Sequence, residues 1–417
     1  MTTLPFRVQA GGAGRGRAGR DRRGRGGAAA VQALVAAMRR CWSAGVLTMV
    51  GPDGSVHRLE GTTPGPEALL EVRDGRMVRR VLASGDVGFA DSFVAGEVET
   101  PDLAQLLTAF STNLDAMARL LAGQPLLRMG DALLHALNRN SRAGARRNIH
   151  AHYDLGDDFY RLWLDPELNY SSALFTAPGQ DLASAQREKH RALARAIDLQ
   201  PGQSLLEIGC GWGGFARFAA AECGARVHAI TISPAQQAYA ARLIQQAGLA
   251  EQVRVELCDY RDVAGRYDRI ASIEMFEAVG EAYWPLYFQR LHELLAPGGR
   301  AGLQVITIQD QLFEGYRRRP DFIQLNIFPG GMLPSEARLR RETERAGLAW
   351  TGARRFGQDY AQTLAEWARR YRGASGEIAG QGFDARFDRL WRYYLAYCEA
   401  GFRTGRTDVI QLGLART

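Results

Sequence analysis

A chain of 417 residues with 46% hydrophobic and 23% charged residues has the composition of an ordinary globular protein and is long enough for two domains. The absence of a run of about 18 apolar residues argues against a membrane span, and the start of the chain lacks the apolar segment of a secretory signal. The five cysteines are scattered, which predicts neither a zinc site nor a disulfide framework and fits a reducing cytoplasm.

The positive charge is concentrated at the start of the chain. Residues 1–30 hold seven arginines and one aspartate, and the rest of the chain is nearly balanced within the net charge of +7. This Gly/Arg-rich segment is of low complexity and cannot form a core, so we predict an unstructured tail. A contact with nucleic acid or anionic lipid is the alternative, and overall we predict no nucleic-acid partner.

Residues 31–138 are typical of a small N-terminal α+β domain. Three strand-like runs, separated by glycine-containing turns, lie at residues 46–50, 56–59 and 77–82. Helical spacing follows at 102–122 and 125–138, with apolar side chains that face the core in the favoured interpretation and lipid in the alternative. A basic segment at 139–147 is either a solvated linker or a contact for phosphate head groups.

Strands and helices alternate regularly from residue 200 onward, which predicts a doubly wound α/β sheet. The strand-like runs lie at residues 204–208, 226–232, 252–258, 267–273 and 300–308. The helix-like runs lie at residues 213–222, 234–247, 283–296 and 334–346. Segments 347–356 and 407–414, around a helix near 384–403, complete this domain, which we assign to residues 139–417. A sharp turn is predicted at 297–299.

The most informative stretch is the turn after the first of these strands. An apolar run ends at Ile208, and Gly209, Gly211 and Gly213 precede helix-like sequence. Glycines let a backbone approach a ligand closely, and a helix N-terminus offers free N–H groups. The turn therefore predicts a cofactor crevice.

The neighbouring strand ends distinguish between cofactors. A dinucleotide site needs an acidic residue at the end of the second strand, where this sequence has Thr231 and Gln236. No Gly-Lys-Ser/Thr follows the glycine turn, which excludes a P-loop. Asp259 and Tyr260 at the third strand end offer a hydrogen-bond acceptor and a stacking face for an adenine. Together with Glu207 inside the first strand, these residues favour S-adenosylmethionine over NAD.

Six motifs occur in the order found in the cyclopropane-fatty-acyl-phospholipid synthase family, which the chain resembles over residues 148–415. The motifs lie at residues 152–165, 170–173, 206–214, 275–280, 327–331 and 333–335. Trp212, directly after the second glycine of the turn, is far more specific than the glycines of methyltransferases in general. The resemblance implies a Rossmann-like class I methyltransferase fold with a smaller α+β N-terminal domain.

The resemblance implies an enzyme that adds the methyl(ene) carbon of S-adenosylmethionine to the cis double bond of unsaturated acyl chains in phospholipids, forming cyclopropane fatty acids. It also implies a cytoplasmic homodimer that associates peripherally with the inner face of the membrane. Because methyl transfer leaves a carbocation, aromatic faces are expected near the reacting atoms. The aromatic candidates are Tyr153, Phe159, Tyr160, Tyr170 and Phe276.

Family members are thought to hold a bicarbonate ion as the base, and the resemblance implies where its ligands fall in this chain. These catalytic candidates are Ser172, Glu277, Gln304, Ile306 and Tyr360. Two of them depart from the family pattern, since Ser172 replaces a cysteine and Gln304 replaces a histidine. Gln304 can orient an anion but cannot take up a proton near neutral pH.

A third departure places Glu274 where many family members have glycine, three residues before Glu277. Two nearby carboxylates raise each other's pKa, which would favour a glutamate as direct general base. A cofactor contact is the favoured interpretation of Glu274, and a catalytic or a structural role is the alternative. The predicted cofactor-binding residues are Tyr170, Ser171, Glu207, Gly209, Gly211, Gly213, Thr231, Gln236, Asp259, Tyr260 and Glu274.

Three alternatives to a cyclopropane product stay open. If the base is displaced, a different proton leaves the cation, and the product is a methyl-branched or methylene fatty acid. A small-molecule methyltransferase of the same fold and a non-catalytic lipid-binding protein are the other two. His150 and His152 have no third partner for a metal, so no metal site is predicted.

Overall fold

The computed structural model describes residues 18–117 and 155–416. These residues form two compact units. One unit comprises 18–117 with 384–400, and the other comprises 155–383 with 401–416. The segment 384–400 therefore belongs to the first unit, although it lies close to the end of the chain.

A four-stranded sheet forms the centre of the first unit. Its strands are β1 (Ala44–Val50), β2 (Val56–Glu60), β3 (Thr63–Val72) and β4 (Val98–Glu99), in the spatial order β2-β1-β3-β4. β1 is antiparallel to β2 and parallel to β3. The helices of this part of the chain are α1 (Ala18–Arg39), α2 (Arg76–Ser84), α3 (Asp86–Val94) and α4 (Leu103–Met117). The strands predicted at 46–50 and 56–59 are confirmed.

The strand predicted at 77–82 is wrong, because this segment forms helix α2. Met77, Val78 and Val81 are all buried. Spacings of one and four residues place side chains on one face of a helix, whereas a strand buries alternate residues. The prediction also missed strand β3, which precedes α2.

Helix α1 begins at Ala18, inside the segment 1–30 that is predicted to be an unstructured tail. Val31 and Val35 lie on its buried face, and the helix continues from them toward the N-terminus through three alanines at 28–30 and then through Gly/Arg-rich sequence. The helical part of the chain therefore starts before the predicted boundary at residue 30. Residues 1–17, the helix predicted at 125–138 and the basic segment at 139–147 lie outside the described residues.

A seven-stranded sheet forms the centre of the second unit and confirms the predicted doubly wound α/β architecture. Its strands are β5 (Ser204–Ile208), β6 (Arg226–Thr231), β7 (Val253–Leu257), β8 (Tyr267–Ile273), β9 (Leu295–Ile308), β10 (Leu348–Arg355) and β11 (Thr407–Arg416). Their spatial order is β10-β11-β9-β8-β5-β6-β7, and β11 is antiparallel to both of its neighbours. The chain order reverses between β5 and β8, so the loops after these two strands border one crevice.

Helices pack against this sheet, and the central strands are buried at residues 205–208 of β5 and 269–272 of β8. The helices from residue 155 onward are α5 (Asp157–Arg161), α6 (Leu182–Ala196), α7 (Gly214–Cys223), α8 (Pro234–Gln246), α9 (Trp284–Leu294), α10 (Asp310–Tyr316), α11 (Phe322–Asn326), α12 (Glu336–Arg345), α13 (Gly357–Gly373), α14 (Ser375–Gly380) and α15 (Ala385–Arg403). None of the helices in the described part of the chain is long and apolar enough to cross a bilayer.

The turn predicted at 297–299 interrupts the pairing at the start of β9. Leu295 pairs with Tyr267, and the next aligned pair is Arg300 with Arg269. Four residues of β9 therefore stand opposite one residue of β8, and Gly298 adopts a φ of +72° within them. The regular part of β9 begins at Arg300, as the sequence predicts.

Candidate active site

The turn after β5 brings backbone rather than side chains to the edge of the sheet. A Cβ at Gly209 would lie 2.6 Å from the Met275 side chain, so packing between the loops after β5 and β8 requires glycine there. Gly211 has a φ of +54°, and a Cβ on it would meet nothing within 4 Å. Open space therefore borders the backbone at Gly211, beside the free N–H groups that begin α7 after Gly213.

Glu207 lies near the carboxyl end of β5, directly before this turn, and only 2% of its surface is exposed. Burial raises the pKa of its carboxyl group to about 8, although the charge of Lys189 opposes the shift. Its Oε2 has no hydrogen-bond partner among the described residues. Because an unpartnered buried oxygen is unfavourable, Glu207 is suited to receive a polar or cationic ligand group.

The ends of β6 and β7 carry the other predicted cofactor residues. The Thr231 hydroxyl donates to Oε1 of Gln236 at 3.0 Å, so the structure brings these two residues together. The Asp259 carboxylate accepts two hydrogen bonds from the Arg261 guanidinium, at 2.8 and 2.6 Å. The sequence analysis missed Arg261, which holds Asp259 in a fixed orientation beside the partly buried ring of Tyr260.

Trp212 has a structural role that explains its place in the turn. Its indole Nε1 donates to Oδ1 of Asp157 in helix α5 at 2.8 Å, and its ring centroid lies 5.0 Å from that of Tyr160. Helix α5 belongs to the motif that precedes the sheet in sequence. Trp212 therefore holds helix α5 against the glycine turn.

An aromatic cluster surrounds the segment that follows α5. Tyr160, Trp163, Tyr170 and Trp367 contact one another with centroids 5.5–5.6 Å apart. Phe159 extends this cluster from its position beside Tyr160, at 5.3 Å. Faces of such rings attract cations, which is the property expected near a developing carbocation.

The other two aromatic candidates do not belong to this cluster. Phe276 is 1% exposed and stacks on Trp284 at 5.4 Å in the core beneath the sheet. Its surroundings are those of an ordinary core residue. Tyr153 lies outside the described residues, as do His150 and His152. Among the residues that are described, no group of three or more His, Cys, Asp or Glu side chains is arranged to hold a metal ion.

Glu274 directly follows β8, and its carboxylate is the centre of a polar network. Its Oε1 accepts hydrogen bonds from the Ser172 backbone N–H at 2.9 Å and from Nε2 of Gln304 at 2.7 Å. Its Oε2 accepts a hydrogen bond from the Tyr360 hydroxyl at 2.6 Å. Desolvation raises the pKa of Glu274, and these three donors oppose the shift. Three catalytic candidates that are distant in sequence thus meet on one carboxylate.

Glu277 lies one turn further along the same loop. Its Oε1 accepts a hydrogen bond from the Ile306 backbone N–H at 2.5 Å, so a fourth and a fifth catalytic candidate also meet. Its Oε2 is shielded from solvent and has no hydrogen-bond partner among the described residues. Desolvation raises the pKa of Glu277 to about 8, and the negative charge of Glu274 adds to the shift. The two carboxyl groups therefore resist simultaneous ionisation.

The sequence analysis missed Lys189, a buried charged residue that contacts Ser171 and lies near the carboxyl groups of this site. It is the single lysine of the chain, beside dozens of arginines, and it is completely buried in α6. Its Nζ donates to the Ser171 hydroxyl at 2.7 Å. Burial lowers the pKa of Lys189 to about 8, while the charges of Glu274, Asp165 and Glu207 favour the ammonium form. Its solitary occurrence among arginines was the signal that could have singled it out.

Two glutamines orient the network and were also missed. Gln411 donates from Nε2 to Oε1 of Gln304 at 3.0 Å, which leaves the Gln304 amide nitrogen directed at Glu274. Gln186 donates to the backbone carbonyl of Ser171 at 2.8 Å. Both side chains are almost completely buried. A polar residue in the middle of the apolar strand β11 is the sequence signal for Gln411.

Comparison with known proteins shows what this chain is similar to. A family model described as mycolic acid cyclopropane synthetase matches residues 140–412. Tuberculostearic acid methyltransferase UfaA1 of Mycobacterium tuberculosis is 38% identical over 94% of this chain and 93% of its own length. The cyclopropane-fatty-acyl-phospholipid synthase of Escherichia coli K12 is 32% identical over 86% of this chain and 90% of its own length.

Solved structures extend the likeness to three dimensions. The crystal structure of mycolic acid cyclopropane synthase CmaA1, complexed with SAH and CTAB, has a TM-score of 0.61 and 31% sequence identity. The match covers 65% of this chain and 98% of that one. The residues that the family model matches include every side chain of the network around Glu274 and Glu277.

Proposed function

Since this chain belongs to the mycolic acid cyclopropane synthetase family, we propose that it methylates the cis double bond of an unsaturated fatty acyl chain. It is an S-adenosylmethionine-dependent methyltransferase of that family. The observation that carries the proposal is the pair Glu274 and Glu277 at the end of β8, where the crevice beside the glycine turn meets the polar network. An alkene has no acidic proton, so its methylation needs a group that accepts a proton only after the carbon–carbon bond has formed.

The residues of the crevice fit S-adenosylmethionine. We assign the close backbone approach to the turn at 209–213, the ribose to Thr231 and Gln236, and the adenine to Asp259 and Tyr260. The unpartnered oxygen of Glu207 is suited to the polar end of the ligand. When bound, this cofactor supplies a methyl group on a positively charged sulfur. The carboxyl groups of the site favour that charge.

The chain's own residues supply what the reaction needs beyond the cofactor. The aromatic cluster around Tyr170 offers faces that attract a cation and exclude water. The Glu277 carboxyl group is held by the Ile306 N–H and is able to carry a negative charge beside the site. Tyr360 and Gln304 orient Glu274. Orientation of this kind accounts for a large part of the rate in reactions of weak nucleophiles.

The first candidate product is a cyclopropane ring in a phospholipid acyl chain, which the likeness to the Escherichia coli synthase supports. The second candidate is a methyl-branched or methylene fatty acid. It is favoured by the likeness to a tuberculostearic acid methyltransferase and by the position of Glu274. The ring forms when a C–H electron pair of the new methyl closes onto the cationic carbon. The methylene group forms when a hydride first shifts to that carbon and the C–H pair then forms a double bond.

The setting of the reaction is also part of the proposal. We assign the catalytic domain to residues 139–417, apart from the segment 384–400 that belongs to the first unit. We place the enzyme at the inner face of the cytoplasmic membrane as a peripheral homodimer. The family resemblance supports this setting, because acyl chains of phospholipids are reached only from a membrane surface.

Methyl transfer to unsaturated lipid is the expected activity. The full-length protein, incubated with methyl-labelled S-adenosylmethionine and dioleoyl phospholipid vesicles, should transfer label to the acyl chains and increase their mass by one CH2. Saturated vesicles of the same head group serve as the control and should stay unlabelled. Hydrogenation and proton NMR then separate a ring from a methylene group of equal mass. Cofactor binding without label in any unsaturated lipid would contradict the proposal.

A further inference from the structure

Three buried donors from three different elements converge on one carboxylate. Ser172 and Gln304 are completely buried, and Tyr360 is 6% exposed, whereas Glu274 itself is only partly buried. The carboxylate itself is desolvated, and these donors hold both of its oxygens. Each donor that it receives favours the ionised form.

The backbone at Glu274 is in a conformation that disfavours a side chain. Its φ is +48°, in the left-handed region that favours glycine, and its N–H donates to the Gln304 carbonyl at 2.8 Å. A non-glycine residue in this region is strained. Glycine would relieve this strain, so the chain retains a carboxylate at this position against a local penalty. Such outliers are typical of functional positions.

The resemblance implies a bicarbonate ion at this place, and the structure does not fit one. The implied ligands are Ser172, Glu277, Gln304, Ile306 and Tyr360. Three of them donate to Glu274, and the Ile306 N–H donates to Glu277. All of these donors are engaged by carboxylates of the chain itself. An added anion would also be repelled by the two carboxyl groups.

We propose that Glu274 takes the place of an external anion and that its Oε2 accepts the proton released after methyl transfer. This inference rests on the proposed function. A carboxylate offers about four lone pairs. Two donors engage Oε1 and one donor engages Oε2, so one lone pair of Oε2 remains for a proton.

The electron pairs balance for either product. The alkene pair forms the bond to the methyl carbon, and the carbon–sulfur pair stays on sulfur. For a ring, a C–H pair of the new methyl closes onto the cationic carbon, and the proton goes to Glu274. For a methylene group, a hydride first shifts to the cationic carbon from its neighbour. The C–H pair of the methyl then forms the double bond, and the proton goes to the same oxygen.

The surrounding charges support Glu274, and not Glu277, as the proton acceptor. Three hydrogen bonds and the nearby Lys189 ammonium favour ionised Glu274, whereas Oε2 of Glu277 has no such donor. The negative charge of Glu274 in turn disfavours ionisation of Glu277. Glu274 is therefore the carboxyl group that carries the charge at lower pH.

Dependence on bicarbonate tests the inference. We expect the wild-type enzyme to methylate dioleoyl phospholipid at the same rate, within 2-fold, in CO2-free buffer and in buffer with added bicarbonate. Glu274→Gly should lose at least about 100-fold in CO2-free buffer, because no proton acceptor remains, and should recover at least 10-fold when bicarbonate is added. Glu274→Gln is the matched control, since its amide fills the same space without a charge and should not be rescued.

A binding measurement supplies a readout that does not depend on turnover. With 13C-labelled bicarbonate, line broadening of the carbon signal is expected for the glycine variant and not for the wild type or the glutamine variant. Bicarbonate-dependent turnover or bicarbonate binding by the wild type would overturn the inference. A folded glycine variant that keeps full activity without bicarbonate would do the same. Wild type that labels no unsaturated lipid would contradict the proposed function instead, and the binding result would still decide whether Glu274 fills the anion position.

Discussion

Glu277→Gln is expected to lower kcat for methyl transfer by about 100-fold at pH 8.5. Glu277 is the carboxyl group whose Oε2 lacks a partner, so its charge is available to stabilise the carbocation. Opposite unit charges about 5 Å apart interact by about 3 kcal/mol inside a protein, which corresponds to roughly 100-fold in rate. Glutamine retains an oxygen that accepts the Ile306 N–H, so the fold and cofactor affinity should change little. Steady-state kinetics and cofactor titration measure the two effects separately.

The pH dependence should separate Glu277 from its neighbours. The pKa of Glu277 is raised to about 8, so wild-type kcat should rise as the pH approaches 8. The positive charge of the bound cofactor favours ionised Glu277, so this rise should occur at lower pH when the cofactor is bound. The glutamine variant should lack this rise. A variant that retains wild-type kcat at pH 8.5, or that retains the same pH profile, would exclude a catalytic role for the Glu277 charge.

The raised pKa of Glu277 also determines how its contribution to the unfolding free energy changes with pH. Because the folded state raises the pKa of Glu277, its contribution to stability is fully present below pH 4.5 and is lost as pH rises through about 8. Glu207 follows the same direction for the same reason, so wild-type stability alone cannot assign the effect. As pH rises from 5 to 9, the unfolding free energy of Glu277→Gln should therefore increase relative to that of the wild type.

Lys189→Met is expected to lower the unfolding free energy by about 3–5 kcal/mol at pH 7, the typical result of removing one partner from a buried set of charges. The ammonium of Lys189 is the buried counter-charge of Glu274, Glu207 and Asp165. Methionine is one heavy atom shorter than lysine, and it removes the charge as well as the hydrogen bond to Ser171. Urea unfolding monitored by tryptophan fluorescence measures the change.

Two comparisons make this prediction specific. Lys189→Arg retains the positive charge but inserts a larger, planar group into a site with no exposed surface, so it should cost about 1–3 kcal/mol and fall between wild type and Lys189→Met. The penalty of Lys189→Met should shrink at acidic pH, because protonated carboxyl groups need no counter-charge. A methionine variant as stable as wild type at pH 7 would show that Lys189 does not balance these carboxylates.

The strands of the second unit were predictable because each depends on local sequence, whereas helices α6 and α13, which carry Lys189 and Tyr360, were not among the predicted elements. The runs at 204–208 and 267–273 match strands β5 and β8 residue for residue, although β8 also contains Asp268, Arg269 and Ser272. The segment at 77–82 shows the limit of this approach. Its apolar residues suit a short strand by composition, and only their packing on one face reveals a helix.

The chemistry of the site was predictable only in part. The glycine turn, the strand ends and the motif around Trp212 indicated the cofactor and the family from residues adjacent in sequence. For Glu274 the sequence favoured a cofactor contact over catalysis. The structure surrounds its carboxylate with Ser172, Gln304 and Tyr360, which are separated from it by 102, 30 and 86 residues.

The sequence by itself therefore determined the fold class, the position of the glycine turn and the residue types available for catalysis, because turns and strands depend on neighbouring residues. Only the tertiary structure decided which donors each carboxylate receives and that Lys189 lies buried among them. Those pairings depend on strand order, which places β8 between β5 and β9 and brings Gln411 of β11 against Gln304. Burial and proximity set the charge of each group, and neither is encoded in the spacing of residues along the chain.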